Sequence, residues 1–190
     1  MTSSSAINVL GIGGSLRDGS QSERALRIAL GGAEEAGART SAFTGGRLVL
    51  PFYDVTVAER SAEAVELIEA IRAADGLIVV SPGYHGAPSG LVKNALDYVE
   101  DLRPDERPYL HGRAVGLVAV AFGWQAAVTT LDQLRTITHA LRGWPTPLGG
   151  AVNTAEVKFD ESGGASEERV VNTLRLIGGQ VVEFARSRRS

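Results

Sequence analysis

The 190 residues read as a doubly wound α/β protein, a parallel five-stranded sheet with helices on both faces. Two segments carry most of that reading. GLIVVS at 76–81 and AVGLVAVA at 114–121 are apolar almost throughout, the pattern of strands covered on both sides rather than of half-exposed strands that alternate. The third observation is the glycine-rich run GIGGSLRDGSQS at 11–22, set where an apolar, β-branched segment gives way to an amphipathic one, so that a strand turns into a helix. Right-handed crossovers then stack three layers, and ligands in such sheets bind at the carboxyl ends of the strands near the switch point.

In chain order, the first strand covers 6–11 and the first helix 22–36, with Ala25, Leu26, Ala29 and Leu30 inward and Gly37 as its stop. Residues 40–43 make a second strand, 48–51 a short extended piece, and Phe52-Tyr53-Asp54 a loop. A helix over 62–74 carries Val65, Ile68 and Ile71 on one face and stops at Ala74-Asp75-Gly76, directly before the strand 77–81. Helix 89–100, strand 114–121, helix 126–141 and strand 148–152 continue the alternation. A polar loop over 153–164 leads to a closing helix over 166–185 with Glu167 and Glu168 in its first turn, and residues 185–190 form a solvated tail. No linker or repeat divides the chain, so one domain spanning 1–190 is expected.

Composition narrows the function classes. With 44% hydrophobic residues, 22% charged and a net charge of -3, the chain reads as an ordinary soluble globular protein with no pull toward nucleic acid. The start MTSSSAINVL has no basic region and too short an apolar run for an export signal or a membrane helix, so no membrane association is expected. Zero Cys removes disulfides, thiolate metal sites and cysteine nucleophiles, and suits a cytoplasmic protein. The three histidines, His85, His111 and His139, show no spacing with carboxylates that would make a metal site or a serine-histidine-acid triad.

The glycine-rich turn is suited to an anion. First-turn N–H groups of a helix have no partner within the helix, and glycines let the backbone close on a ligand. Ser15, Ser20 and Ser22 add hydroxyl donors and Arg17 a planar, charged fork. A Walker loop is excluded, because the only lysines are Lys93 and Lys158. A dinucleotide fingerprint fits poorly, with Leu16 in place of the third glycine and Ala38, Arg39, Thr40 and Ser41 where an acid belongs. A terminal phosphate monoester is the ligand end expected here; the plain alternative is a turn whose Ser20 or Ser22 merely caps the helix.

If strands one, three and four are neighbours, loops 13–22, 81–90 and 122–125 share one rim. The middle loop, Ser-Pro-Gly-Tyr-His-Gly-Ala-Pro, is stiff at its prolines and open at its glycines. The backbone of 82–86 would line the edge of a flat heterocycle, with Tyr84 as a ring face and Trp124 as a second aromatic wall. Tyr84 packed on the following helix, or Trp124 at a surface contact, is the competing reading.

The pair GSLRDGSQS and SPGYHGAPSGLVKNALDY, in that order and about 60 residues apart, resembles the NAD(P)H-dependent FMN reductase family, flavodoxin-like flavoproteins with quinone and azo reductase relatives. The resemblance spans nearly the whole chain. It implies strand order 2-1-3-4-5 and FMN rather than FAD. It also implies a phosphate held by Ser15, Arg17, Ser20, Gln21 and Ser22, and an isoalloxazine met by Pro82, Gly83, Tyr84, His85 and Gly86, with Gly123 and Trp124 beside it. The family often has Asn at position 22, Glu at 83, Asn at 85 and a glycine-rich loop in place of Phe122-Gly-Trp-Gln125. Those departures bear on substrate preference more than on FMN contacts.

The resemblance further implies a ping-pong flavoenzyme in which NADPH or NADH stacks on the flavin and passes a hydride from nicotinamide C4 to flavin N5, with no catalytic side chain required. Electrons would then pass to a small-molecule acceptor such as free flavin, a quinone or an azo compound, with a monooxygenase as a candidate consumer of reduced flavin. Two other readings compete: an electron-carrier flavodoxin, disfavoured by the mild acidity and by Arg17 at the phosphate loop, and a nucleotide-binding module without turnover. In relatives a pair comparable to Lys93 and Asp97 bridges subunits, so Leu91, Ala95 and Val99 are expected to join helix 126–141 in a homodimer or homotetramer interface.

Overall fold

The computed structural model describes residues 6–189. Strands β1 (Ile7–Gly13), β2 (Ala38–Thr44), β3 (Gly76–Tyr84) and β5 (Ala114–Ala121) run parallel in the order β2-β1-β3-β5, and β4 (Ala87–Pro88) folds back antiparallel on β3. The fifth position is shared: β6 (Trp144–Pro145) pairs with the start of β5 and β7 (Gly150–Asn153) with its end. The single strand expected at 148–152 is therefore split, because Pro145 and Pro147 flank Thr146 and a proline cannot donate to a ladder. With that division the expected order 2-1-3-4-5 holds.

Helices α1 (Gln21–Glu35) and α5 (Glu168–Arg189) cover one face, and α2 (Ala62–Ala73), α3 (Gly90–Asp97) and α4 (Trp124–Ala140) the other. Alternate residues of β3 and β5 feed the two cores: Ile78, Val80, Val118 and Val120 pack under α1 and α5, while Leu77, Val79, Leu117 and Ala119 pack under the other three helices. All eight residues of β5 are buried, which is why its sequence does not alternate. Ala25, Leu26, Ala29 and Leu30 are inward as expected.

Several expectations need correction. Val65 is exposed; the buried face of α2 is Ala64, Leu67, Ile68 and Ile71, one position round the helix. The extended piece expected at 48–51 is preceded by a 3-10 turn over Gly45–Leu48. Helix 89–100 stops as an α-helix at Asp97 and tightens into a 3-10 turn over Tyr98–Leu102. Ala95 and Val99 are fully buried in the chain's own core, so they are not available to a second subunit; Leu91 packs partly against the same core. The tail is helix: α5 continues to Arg189, Arg186 donates to the Ala36 carbonyl, and Arg189 is paired with Asp75. Ser190 and residues 1–5, on which the reading of the chain start rested, lie outside the described residues.

Two tight contacts set the layers. Arg113 is buried and donates to the carbonyls of Ala74, Tyr109 and Arg72 at 3.0 Å each. Burial pulls its pKa down to about 10, so it stays charged at neutral pH, its donors matched by carbonyl dipoles. On the opposite face α1 and α5 cross at glycines. A Cβ on Gly32 would stand 2.2 Å from the Arg175 carbonyl oxygen, and one on Gly178 2.0 Å from that of Ala29.

Gly178→Ala is therefore expected to lower stability by about 1–2 kcal/mol, because overpacking outweighs the better helix propensity of alanine. The neighbouring Gly179→Ala, where a Cβ meets nothing within 4 Å, is expected to be neutral or to stabilise by up to about 1 kcal/mol. Urea unfolding of the two variants checks the contrast.

Candidate functional site

The register brings three loops to one edge. Gly13 stands beside Val80, Val80 beside Val118 and Val118 beside Gly150, so the segments leaving β1, β3, β5 and β7 emerge at a common rim. β1 runs two residues further than its pattern suggests. Gly13 ends against β3, where a Cβ would lie 2.1 Å from the Val80 carbonyl oxygen, and Gly14 donates its N–H to that oxygen at 3.2 Å.

Between Gly14 and α1 the loop assembles donors. Ser20 is the N-cap: its hydroxyl accepts from the Glu23 N–H at 3.2 Å and lies 3.2 Å from the Ser22 hydroxyl. One hydroxyl proton serves that mutual contact and the other remains for an anion. Glu23 accepts from the Gly19 N–H at 3.0 Å and is neutralised by Arg27. Ser15 accepts from the Arg17 N–H at 3.3 Å. The Arg17 guanidinium is exposed and has no acceptor among the described residues. The first-turn N–H groups of Gln21 and Ser22 have no acceptor within the helix. Such a donor-rich end at a helix N-terminus fits a phosphate monoester.

Gln21 is placed differently from Ser15, Arg17, Ser20 and Ser22. Its carboxamide oxygen accepts from the Phe159 N–H at 2.7 Å and its nitrogen donates to the Phe159 carbonyl at 3.1 Å, with Arg24 on the same carbonyl at 2.8 Å. Only its backbone N–H faces the loop's open end by helix geometry.

At the other end, the segment read as an irregular loop is a hairpin. Gly83 pairs with Pro88 and Tyr84 with Ala87, and His85 and Gly86 turn the chain with φ of 53° and 82°, a two-residue turn of the primed kind. Ser81 fixes the base, donating to the Pro82 carbonyl and accepting from the Ser89 N–H, each at 2.9 Å. Pro82 is buried, Gly83 and Gly86 half-buried, and His85 and Tyr84 exposed, Tyr84 with 55% of its surface open. The hairpin leans on α4: Gln133 donates to the Gly86 carbonyl at 2.6 Å. A Cβ on Gly83 would meet the Thr130 hydroxyl at 2.7 Å and the Ala121 methyl at 2.9 Å. That Thr130 hydroxyl is buried with no hydrogen-bond partner among the described residues.

The third loop is held from β7. Gly123, at φ 111° with nothing within 4 Å of a would-be Cβ, donates its N–H to Asn153 at 2.8 Å. Trp124 opens α4 and donates its indole N–H to Glu156 at 2.8 Å. It borders a cleft shared with Val152, Val157 and Val170. Trp124 thus stands at the β7 side of the rim.

Two further anchors were not visible in local patterning. Asn94 and Tyr98 hold the carbonyl of Pro51, each at 2.9 Å. Arg60 grips Asp101 through two bonds of 2.7 and 2.8 Å while stacking over Tyr53. Arg60 keeps the Asp101 carboxyl below the usual carboxylate range, and burial, helped by Asp101, raises Tyr53. Positions 94, 98 and 101 share a helical face, the one signal that a polar partner segment lies over it. Lys93, exposed, and Asp97, half-buried, pair within their own helix at 2.5 Å.

The fold is that of a flavodoxin-like α/β protein, with a donor-rich turn beside a hairpin at one rim. FerB, a flavoenzyme NAD(P)H:(acceptor) oxidoreductase from Paracoccus denitrificans, superposes with a TM-score of 0.77 at 17% identity, over 96% of this chain and 98% of that one. An NADH:FMN oxidoreductase, EMOB, gives 0.69 at 22% identity over 96% and 90%. At these identities the likeness is one of fold. In sequence, the chain is 37% identical over 119 residues to an NAD(P)H-dependent FMN reductase from Pseudomonas aeruginosa, covering 62% of this chain and 61% of that protein. It is 35% identical over 86 residues to an NADPH azoreductase from a Bacillus species, covering 45% of each. The chain thus spans less than two thirds of the length of these curated relatives. The family described as NADPH-dependent FMN reductase matches residues 7–157, and the chain belongs to it.

Gly83→Ala is expected to lower stability by about 1–3 kcal/mol, the cost of overpacking against α4. Thr130→Ala in the same chain should recover part of that loss by removing the clashing, partnerless hydroxyl. Denaturant melts of the two singles and the double check this; additive losses would show that Thr130 does not limit the space.

Proposed function

We propose that residues 1–190 form one FMN-binding unit that acts as an NAD(P)H-dependent flavin reductase. The observation that carries the reading is the shared rim, with a donor-rich phosphate cradle on β1 and an exposed backbone hairpin on β3 one strand away. Ser15, Arg17, Ser20, Ser22 and the first-turn N–H groups of Gln21 and Ser22 bind the phosphate. The backbone from Pro82 to Gly86 orients the ring edge, Tyr84 shields one side, and Gly123 and Trp124 bound the other. Bound FMN supplies the redox chemistry, taking reducing equivalents from NADPH or NADH and delivering them to a small acceptor. The Gly83-Thr130 contact keeps the hairpin close against α4 and so holds the ring-binding backbone at a set height.

Free flavin, quinones and azo compounds are the acceptor classes proposed, azo compounds supported by the relatives named azoreductases. A cytoplasmic setting accords with a cysteine-free chain, and among the described residues no helix is long and apolar enough to cross a membrane. A monooxygenase remains the proposed consumer if free reduced flavin is the product. For assembly we propose a homodimer or homotetramer through the exposed faces of helices 89–100 and 126–141. The groove between them, lined by Leu96, Ile137, Ala140 and Leu141 with Lys93 and Asp97 at its lip, supports this. A monomer at all concentrations in sedimentation would contradict it.

FMN-loaded protein should oxidise NADPH or NADH steadily with a small acceptor and no added reductase. Arg17→Ala should weaken FMN binding by about 1.5–3 kcal/mol, the range for a hydrogen bond to a charged group. Stopped-flow reduction and flavin fluorescence titration read both. Bound FMN without turnover would favour an electron carrier, and unchanged affinity would remove Arg17 from the cradle.

A further inference from the structure

One segment of the chain, absent from any motif, bonds to both ends of the pocket. It leaves β7 at Asn153, whose side-chain oxygen accepts from the Gly123 N–H at 2.8 Å and from the Ala155 N–H at 3.0 Å. The Asn153 amide nitrogen donates at 2.8 Å to Glu156, the same carboxylate that receives the Trp124 indole. The backbone closes a tight turn, Glu156 and Val157 both donating to the Asn153 carbonyl, and Thr154 donates to the last residue of β5. Two residues later, Phe159 is clamped by both amide atoms of Gln21, the first residue of α1, and by Arg24.

Little slack separates the two attachments. Val157 and Phe159 are buried in the core beneath α1 and α5. Phe159 bridges Ala165, and Lys158 and Ser166 exchange two bonds of 2.8 and 3.1 Å, which close the return of the loop. The clamp on Phe159 satisfies a donor and an acceptor of one residue, as a neighbouring strand would. The phosphate end on α1 and the turn at Gly123 and Trp124 are otherwise separated by β3.

We propose that residues 153–165 are a brace coupling the two ends of the flavin pocket, with Gln21 and Asn153 as its positioning residues; the proposal rests on the FMN site assigned above. Gln21 acts on the ring end through the brace, and Asn153 sets the Gly123 N–H and the start of α4 without touching the phosphate. An anion on the first turn of α1 steadies the Gln21 clamp, and the brace passes that order to the Trp124 side of the rim.

Hydrogen exchange on the flavin-free protein tests the coupling without relying on the cofactor. Gln21→Met keeps the length of the side chain and removes both Gln21 bonds to Phe159, leaving only that of Arg24. The brace predicts roughly tenfold faster exchange at the Phe159 N–H and also at the Gly123 and Ala155 N–H groups, the change for loss of about one net hydrogen bond. Gln21→Glu, which keeps the acceptor for Phe159, should restore part of the protection at Gly123, and it serves as the readout if Gln21→Met does not fold by circular dichroism. Faster exchange confined to Phe159 overturns the proposal. In FMN titrations, Gln21→Met with Asn153→Ala should be no weaker than the worse single variant, since either break frees the brace; losses that multiply count against coupling. If wild-type protein takes up no FMN, the pocket assignment falls, while the exchange comparison still decides the brace.

Discussion

At the end of β1 the backbone approaches β3 so closely that a side chain on Gly13 would stand 2.1 Å from the Val80 carbonyl oxygen. Gly14 then turns its N–H onto that oxygen. The contact fixes where the chain leaves the sheet, and with it the origin of the serine-rich turn, the proposed phosphate seat, relative to the central strand. A β-carbon at Gly13 would push the loop outward and move the cap at Ser20 away from the hairpin on β3. The spacing of the two loops at the rim thus depends on one close backbone approach between neighbouring parallel strands.

Much of this was legible in sequence because the sheet is buried on both sides. Strands without alternation, GLIVVS and AVGLVAVA, identified the centre of the sheet, and the serines after the glycines identified a capped helix start. What local pattern did not carry was the partner of each face. An apolar helical stripe announces burial but not its cover, so Ala95 and Val99 read as a subunit surface when the chain's own core covers them. The Val65 assignment failed by one helical position because adjacent faces of α2 are both partly apolar. The hairpin after β3 was hidden because its first turn residue is His85, at φ 53°, where Asn or Gly would have signalled a primed turn. The Arg60-Asp101 and Gln21-Phe159 bonds join residues 41 and 138 positions apart, beyond any periodicity argument.

The rim is built from backbone and neutral donors more than from titrating groups. Arg17 brings positive charge to one end beside the exposed Asp18 of the same loop, while Glu23 and Glu156 are engaged by Arg27 and by Trp124 with Asn153. Such a site suits a ligand that brings its own reactivity and asks the protein for position. At position 83 this chain has glycine, and the Thr130 hydroxyl occupies the space a Cβ would take. The hairpin floor is therefore a backbone surface, with Tyr84 and His85 exposed above it.

The proposed flavin site rests on a phosphate held by the turn after β1. Calorimetric titration of flavin-free protein with FMN and with riboflavin, which share the ring and differ in that group, tests it most directly. FMN is expected to bind more tightly by at least about tenfold, the worth of one charge-assisted hydrogen bond. Equal affinity for the two flavins would contradict it.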